Sequence, residues 1–240
     1  MSARRKRIGW IAVWALGLIA ALFFAVALYR HDAGQSSSAA GRPPAIEAGG
    51  GFPIRGKVAP AFTLTDQFGR TVSLSSLRGH EVVLAFIDSR CATVCPLTAA
   101  ILREALHRIG PAGSRRVALI AVNADPAATR VADVYRFSAE NGMLHQWMYL
   151  TGSPAQLKAI YKQYDVYVCV EPDGQVIHDA AIFIIGPEGL ERLYYETLDT
   201  SVSFTVESET RAILAGMREW LPGGLSAAAG GKRERHSSSA

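Results

Sequence analysis

Val82-Val-Leu-Ala-Phe-Ile-Asp-Ser-Arg-Cys91-Ala-Thr-Val-Cys95-Pro96 holds the step on which the fold turns. Residues 82–87 are an unbroken apolar run, the pattern of a strand buried on both faces. Pro96 suits the first turn of a helix, and Leu97, Ile101, Leu102, Ala105, Leu106 and Ile109 then recur at helical spacing until Gly110-Pro111 stops it. A strand, a loop and a helix make one βα unit of a parallel sheet. The two cysteines stand one helical turn apart in its loop. A thiol at a strand end that opens onto a helix N-terminus faces unpaired backbone N–H groups, which favour the thiolate, the form that attacks disulfides and binds soft metals.

Working outward, residues 62–65 and 71–73 read as a hairpin around Asp66-Gln-Phe-Gly69. Residues 117–122 are a second buried strand, followed by the turn Asn123-Ala-Asp-Pro126 and a helix through Val131, Val134, Tyr135 and Phe137. Residues 147–150 form a short strand, and Ser153 caps a helix carrying Leu157, Ile160 and Tyr164. Residues 166–170 and 176–178 flank Glu171-Pro-Asp-Gly174, which has hairpin turn chemistry. Residues 182–185 and 190–195 form a hairpin around Gly186-Pro-Glu-Gly189, and a helix with Ile213, Leu214, Met217, Trp220 and Leu221 on one face closes the domain. Helices between parallel strands, then a terminal hairpin and helix, predict an α/β domain of thioredoxin-like architecture with an N-terminal extension.

The flanks differ in composition. Arg4, Arg5, Lys6 and Arg7 precede residues 8–29, which hold no charge and only two glycines. At about 1.5 Å per residue this run can cross a hydrocarbon core of roughly 30 Å. The expectation is one transmembrane helix in residues 1–29, with the basic flank in the cytoplasm and the domain on the extracytoplasmic side. The competing reading is a signal peptide cut after Ala25-Val-Ala27, although signal h-regions run only about 7 to 15 residues. Residues 30–55 are rich in Gly, Ser, Ala and Pro and read as a flexible tether, and residues 222–240 as a disordered basic tail. The chain is +4 overall, yet residues 56–221 hold 15 basic and 18 acidic side chains, a net of −3. The alkaline character belongs to the ends. A net acidic domain lacks the basic face that phosphate backbones require, so nucleic-acid binding is excluded as the main activity.

The run 56–69, the Cys91–Cys95–Pro96 motif, Asp125-Pro126, Leu150-Thr-Gly152 and His178 ahead of Phe183-Ile-Ile-Gly-Pro-Glu-Gly189 together resemble the Sco (SenC) family. The resemblance covers nearly all of residues 56–221. Its opening section is shared with peroxiredoxins, whereas Cys-x-x-x-Cys-Pro followed by a later histidine is far more specific. The resemblance implies a membrane-anchored copper-binding assembly factor for cytochrome oxidase, with an oxidase subunit or another exported thiol protein as partner. It also implies that His178 lies on a loop returning over the cysteine turn. Two thiolates and an imidazole form a three-coordinate donor set suited to copper, Cu(I) above all, so Cys91, Cys95 and His178 are the expected metal ligands. Structural zinc usually takes four protein ligands, and only three candidates are evident.

Three functions remain open on these residues. Copper delivery to the dinuclear copper centre of an oxidase needs Cys91, Cys95 and His178. A thiol-disulfide oxidoreductase needs only Cys91 and Cys95 as a redox-active pair. The x3 spacing and the lack of a proline near Ala180, where thioredoxins place one, count against a general thioredoxin. A peroxidase is weaker still, because Asp88 and Ala92 stand where peroxiredoxins carry a threonine. Asp179 follows the histidine where the family usually carries a small hydroxyl residue. Its carboxylate has three readings: holding the imidazole, adding a hard ligand, or facing solvent. Cys169 reads as a buried strand residue, and His80, His107 and His145 as residues outside the site. Arg90 has two readings, keeping a thiolate ionised through its nearby charge or standing simply solvated, and Asp125-Pro126 reads as a turn.

Overall fold

A strand buried on both faces lies inside the main sheet. The computed structural model describes residues 51–54, 56–196 and 205–221. The expected membrane helix, most of the tether and the C-terminal tail lie outside those residues. Among the described residues no helix is long and apolar enough to cross a membrane.

The short strand β1 is Phe52–Pro53, β2 is Thr63–Thr65 and β3 is Thr71–Ser73. The central strand, β4 (Glu81–Ile87), is buried at every position. Its alternate side chains serve two cores: Val83, Ala85 and Ile87 face one, and Val82, Leu84 and Phe86 the other. From β4 the chain enters α1 (Val94–Ser114) and returns as β5 (Val117–Asn123), parallel to β4. It crosses again through α2 (Val131–Glu140) to β6 (Met148–Leu150), parallel to β5. After α3 (Pro154–Tyr164) comes a separate ribbon of β7 (Val168–Val170) and β8 (Val176–His178). The hairpin of β9 (Ala181–Ile185) and β10 (Glu191–Glu196) completes the sheet, with β9 antiparallel to β4, and α4 (Val206–Trp220) follows. The sheet order is β1-β10-β9-β4-β5-β6.

One face of the sheet is covered by α1, α2 and α4 and the other by α3 with the β2–β3 hairpin. This is the expected thioredoxin-like arrangement. On the α3 face Phe86, Tyr161, Tyr164 and Phe183 form an edge-on aromatic cluster, with Tyr164 and Phe183 centroids 5.3 Å apart. Ser153 caps α3 as its sequence predicts: its hydroxyl accepts from the Gln156 amide, and Gln156 Oε1 accepts from the Ser153 amide at 2.9 Å.

Beyond shifts of one or two residues at strand ends, two features differ from the sequence reading. Residues 52–53, assigned to the tether by composition, pair antiparallel with β10, placing Phe52 opposite Tyr194. A two-residue strand carries too little periodicity to show in sequence. Gly110 does break the helix, with φ at +77°, but the chain recovers another turn through Pro111 to Ser114. The Ser114 hydroxyl secures that turn by donating to the carbonyls of Leu106 and Gly110.

Candidate metal centre

The cysteine loop leaves the C-terminal end of β4 and becomes the first turn of α1. Its N-cap residue, Thr93, makes no side-chain cap bond, and no acidic residue occupies the first turn. Cys91 fills the vacancy: its sulfur accepts the Cys95 amide at 3.5 Å and lies 3.7 Å from the Thr93 hydroxyl. A negative sulfur is favoured where helix N–H groups lack partners. The Cys95 thiol donating to it, together with these amides, holds the half-buried Cys91 thiol down at about 4, against an ordinary 9.0. Cys95 shifts the other way, because its own proton is held by donation to the Cys91 sulfur and because it is buried. The pair is therefore one exposed-side thiolate and one buried thiol.

His178, at the end of β8, reaches the same point from 83 residues away, with Nε2 3.6 Å from Cys95 Sγ. Its Nδ1 lies 2.8 Å from the Asp179 carbonyl oxygen. A carbonyl can only accept, so Nδ1 carries a proton and Nε2 is the ring nitrogen turned toward the sulfur. Asp179 thus orients the imidazole through its main chain. Its carboxylate is engaged elsewhere, accepting the Tyr167 amide at 2.8 Å and bracing the base of the β7–β8 ribbon.

The structure brings Cys95 into contact with both Cys91 and His178. Among the described residues no three His, Cys, Asp or Glu side chains close around a common point tightly enough to form a finished metal site. Cys91 instead opens onto a cleft of about 400 Å³ between the start of α1 and α2, lined by Arg90, Arg136 and Phe137 among others.

Two neighbours act differently from their sequence reading. Arg90 places its guanidinium on the fully buried Asp125. Asp125 Oδ1 also accepts the amides of Ala127 and Ala128 at 2.8 and 3.2 Å. The Asp-Pro pair is thus a turn, and also the anchor of the arginine beside the site. Asp88 is buried and its carboxyl is raised by that burial; its amide donates to Cys95 Sγ at 3.4 Å and its side chain accepts the Arg90 amide at 2.7 Å. Nothing in the local pattern of residues 88–91 links them to Asp125; an acidic residue at the end of a buried strand is the one available sign.

Cys169 departs from expectation. It is half-buried, on the outer face of the ribbon opposite the exposed Ile177, with its sulfur 3.5 Å from Glu171 Oε1. An isolated ribbon has only one covered face, so a strand-like pattern there does not imply burial. His80, His107 and His145 are exposed and form no part of the cysteine site.

The SCO1/SenC family matches residues 54–211, well over half of the chain. The chain belongs to the SCO1/SenC family. The SCO1 protein homolog of Bacillus subtilis is 29% identical over 141 residues, spanning 57% of this chain and 72% of that one. In fold, this SCO1/SenC domain is similar to Arabidopsis thaliana ScoI, whose structure was solved with copper bound, at a TM-score of 0.56, 23% identity, and coverage of 68% and 99%. It is also similar, at a TM-score of 0.55, 25% identity, and coverage of 70% and 94%, to a Sco protein in which a disulfide switch was identified. That protein is described as a member of the Sco family of cytochrome c oxidase assembly proteins.

Proposed function

We propose that this SCO1/SenC domain carries one copper ion as cargo on Cys91, Cys95 and His178 and delivers it during assembly of the dinuclear copper centre of cytochrome c oxidase. The observation that carries this reading is the imidazole: its Nδ1 is held by a carbonyl and its Nε2 is aimed at the thiol pair. Family membership and copper-bound relatives support it. Two sulfurs and one imidazole nitrogen are soft enough for Cu(I) and adaptable to Cu(II). Cys91 already has the charge of a ligand, whereas Cys95 must give up its proton on loading, so one proton leaves for each ion bound. Loading also requires the Cys91 and His178 side chains to close on Cys95.

Titrating Cu(I) into the reduced protein and its His178→Ala variant tests this reading. The expected result is one ion per chain and a loss of more than roughly 100-fold in affinity in the variant, since even outer partners of metal ligands are worth 10- to 100-fold. Equal affinities would remove histidine from the site.

A second reading rests on the asymmetry of the thiols. A low-pKa outer Cys91 with a buried Cys95 behind it is the arrangement of an attacking and a resolving thiol, acting on cysteines of an oxidase subunit or another exported protein. Under that reading His178→Ala leaves the Cys91/Cys95 redox couple nearly intact.

We also propose that residues 8–29 hold the chain in the cell membrane, with the amino terminus cytoplasmic, a tether ending before β1, the domain from β1 to residue 221 outside, and the tail at 222–240. Alkaline carbonate extraction should leave the intact chain with the membranes. Its release, or a mature terminus near Ala27, would show a cleaved leader instead.

A further inference from the structure

At the far end of β5 from the cysteines, the sheet has an open edge. The Glu81 amide donates to the Arg116 carbonyl at 3.0 Å, which sets the phase of the parallel ladder. Arg116 and Ala118 bond to β4, so Val117 and Leu119 turn their main-chain groups to the opposite side. There β6 pairs only with Ile120 to Val122. Ahead of Met148 the chain is bent away by a turn in which the Gln146 amide donates to the Met143 carbonyl at 2.9 Å. The buried Gln67 fixes that detour, donating to the carbonyls of Leu144 and Trp147 and accepting the Tyr149 amide at 2.7 Å. The N–H and C=O of Val117 and the N–H of Leu119 consequently find no partner among the described residues.

This edge forms one wall of a groove of about 630 Å³. Arg70, His80, Arg115 and His145 line it, and no acidic residue does. That is a local reversal in a domain whose net charge is −3 over residues 56–221. Arg70 is partly neutralised by Asp66 at 2.7 Å, whereas the exposed Arg115 forms no ion pair with a described residue. His145 stacks on Phe68 with centroids 5.6 Å apart, giving the groove a flat aromatic side.

We propose that this groove binds an extended acidic segment of another protein, which adds as a short strand to the open edge of β5. Unpaired main-chain groups give such a site its affinity and the flanking cations select the sign of the ligand's charge. With three free main-chain groups, the association is weak and reversible. The groove lies apart from the cysteine site, so it takes a partner whether or not copper is the cargo.

The test uses the full chain in mild detergent and a fluorescein-labelled octapeptide of alternating Glu and Val, with binding read by fluorescence anisotropy. Saturable binding is expected, weakened roughly tenfold by Arg115→Glu and at least about tenfold when alternate peptide nitrogens are methylated. Cys91→Ser should leave it unchanged. Three results would overturn the proposal: equal binding of a Lys/Val peptide, equal binding of the methylated peptide, or no effect of Arg115→Glu. Displacement of the peptide by unlabelled protein would name a second copy of this chain as the occupant and overturn it as well.

Discussion

The asymmetry of the cysteine pair makes a kinetic prediction that can be worked through. With its thiol at about 4 against an ordinary 9.0, Cys91 is almost wholly thiolate at pH 6, where an ordinary cysteine is about one part in a thousand ionised. That thousandfold gain in thiolate is offset by lower intrinsic nucleophilicity, which over five pKa units at a Brønsted slope of 0.4–0.5 costs roughly 100- to 300-fold. The net rate at pH 6 is then only about three to ten times that of a free thiol. The shape of the pH profile is the sharper sign. In the reduced, metal-free protein, the rate of carbamidomethylation of Cys91 by iodoacetamide, followed by peptide mass spectrometry, should be flat from about pH 5.5 to 8. An ordinary thiol gains nearly tenfold per pH unit over that range. Cys95, buried and protonated, should stay unmodified throughout. Cys95→Ala removes the S–H that donates to Cys91, the largest cause of the shift, and should move the plateau to higher pH. A wild-type rate that climbs tenfold per unit between pH 6 and 8, or equal labelling of the two cysteines, would refute the assignment of thiolate to Cys91 and thiol to Cys95.

Elsewhere in the domain, Glu81 is fully buried with neither carboxylate oxygen partnered, and burial alone raises it to about 8. A raised carboxyl pKa means the folded state holds a proton that the unfolded chain releases near 4.5. Stability should therefore fall as pH rises from about 4.5 to 8, by at most ~1.4 kcal/mol per unit. Denaturant titrations of wild type and Glu81→Gln at pH 5 and pH 8 should show a much smaller pH slope in the variant, and parallel slopes would disprove the buried-acid account. For Asp125→Ala, two amides and the Arg90 guanidinium lose their acceptor. Arg90 is partly exposed and can rehydrate, so about 2 kcal/mol of destabilisation is expected, below the range for a wholly buried pair. Unchanged thermal stability would mean that Asp125 does not hold the cysteine loop.

The sequence by itself determined the elements. The unbroken apolar run of β4 and β5, the helical spacing from Leu97 to Ile109, the capping serine at 153 and the Gly-Pro turns are all local, because hydrogen bonding and burial within one element impose their period on adjacent residues. It also placed both thiols at a helix start, which is enough to expect a perturbed pKa. A two-residue strand such as β1 and the resumed turn after Gly110 were too short to leave a readable period. Where the sequence offered a pattern without context, as at Cys169, the same alternation fitted a covered strand and a half-open ribbon equally well.

Only the tertiary structure decided which distant side chains share an environment. The 3.6 Å approach of His178 to Cys95, the capture of Arg90 by Asp125 and the diversion of residues 143–147 by Gln67 each join segments far apart in the chain. Such pairings depend on strand order and on where each loop ends, and neither is encoded in the spacing of neighbouring residues. Asp179 shows the difference most clearly: its position beside the histidine was evident from sequence, yet the ring is held by its carbonyl while its carboxylate serves the Tyr167 amide. The direction of a side chain at a strand end is set by the element packed against it.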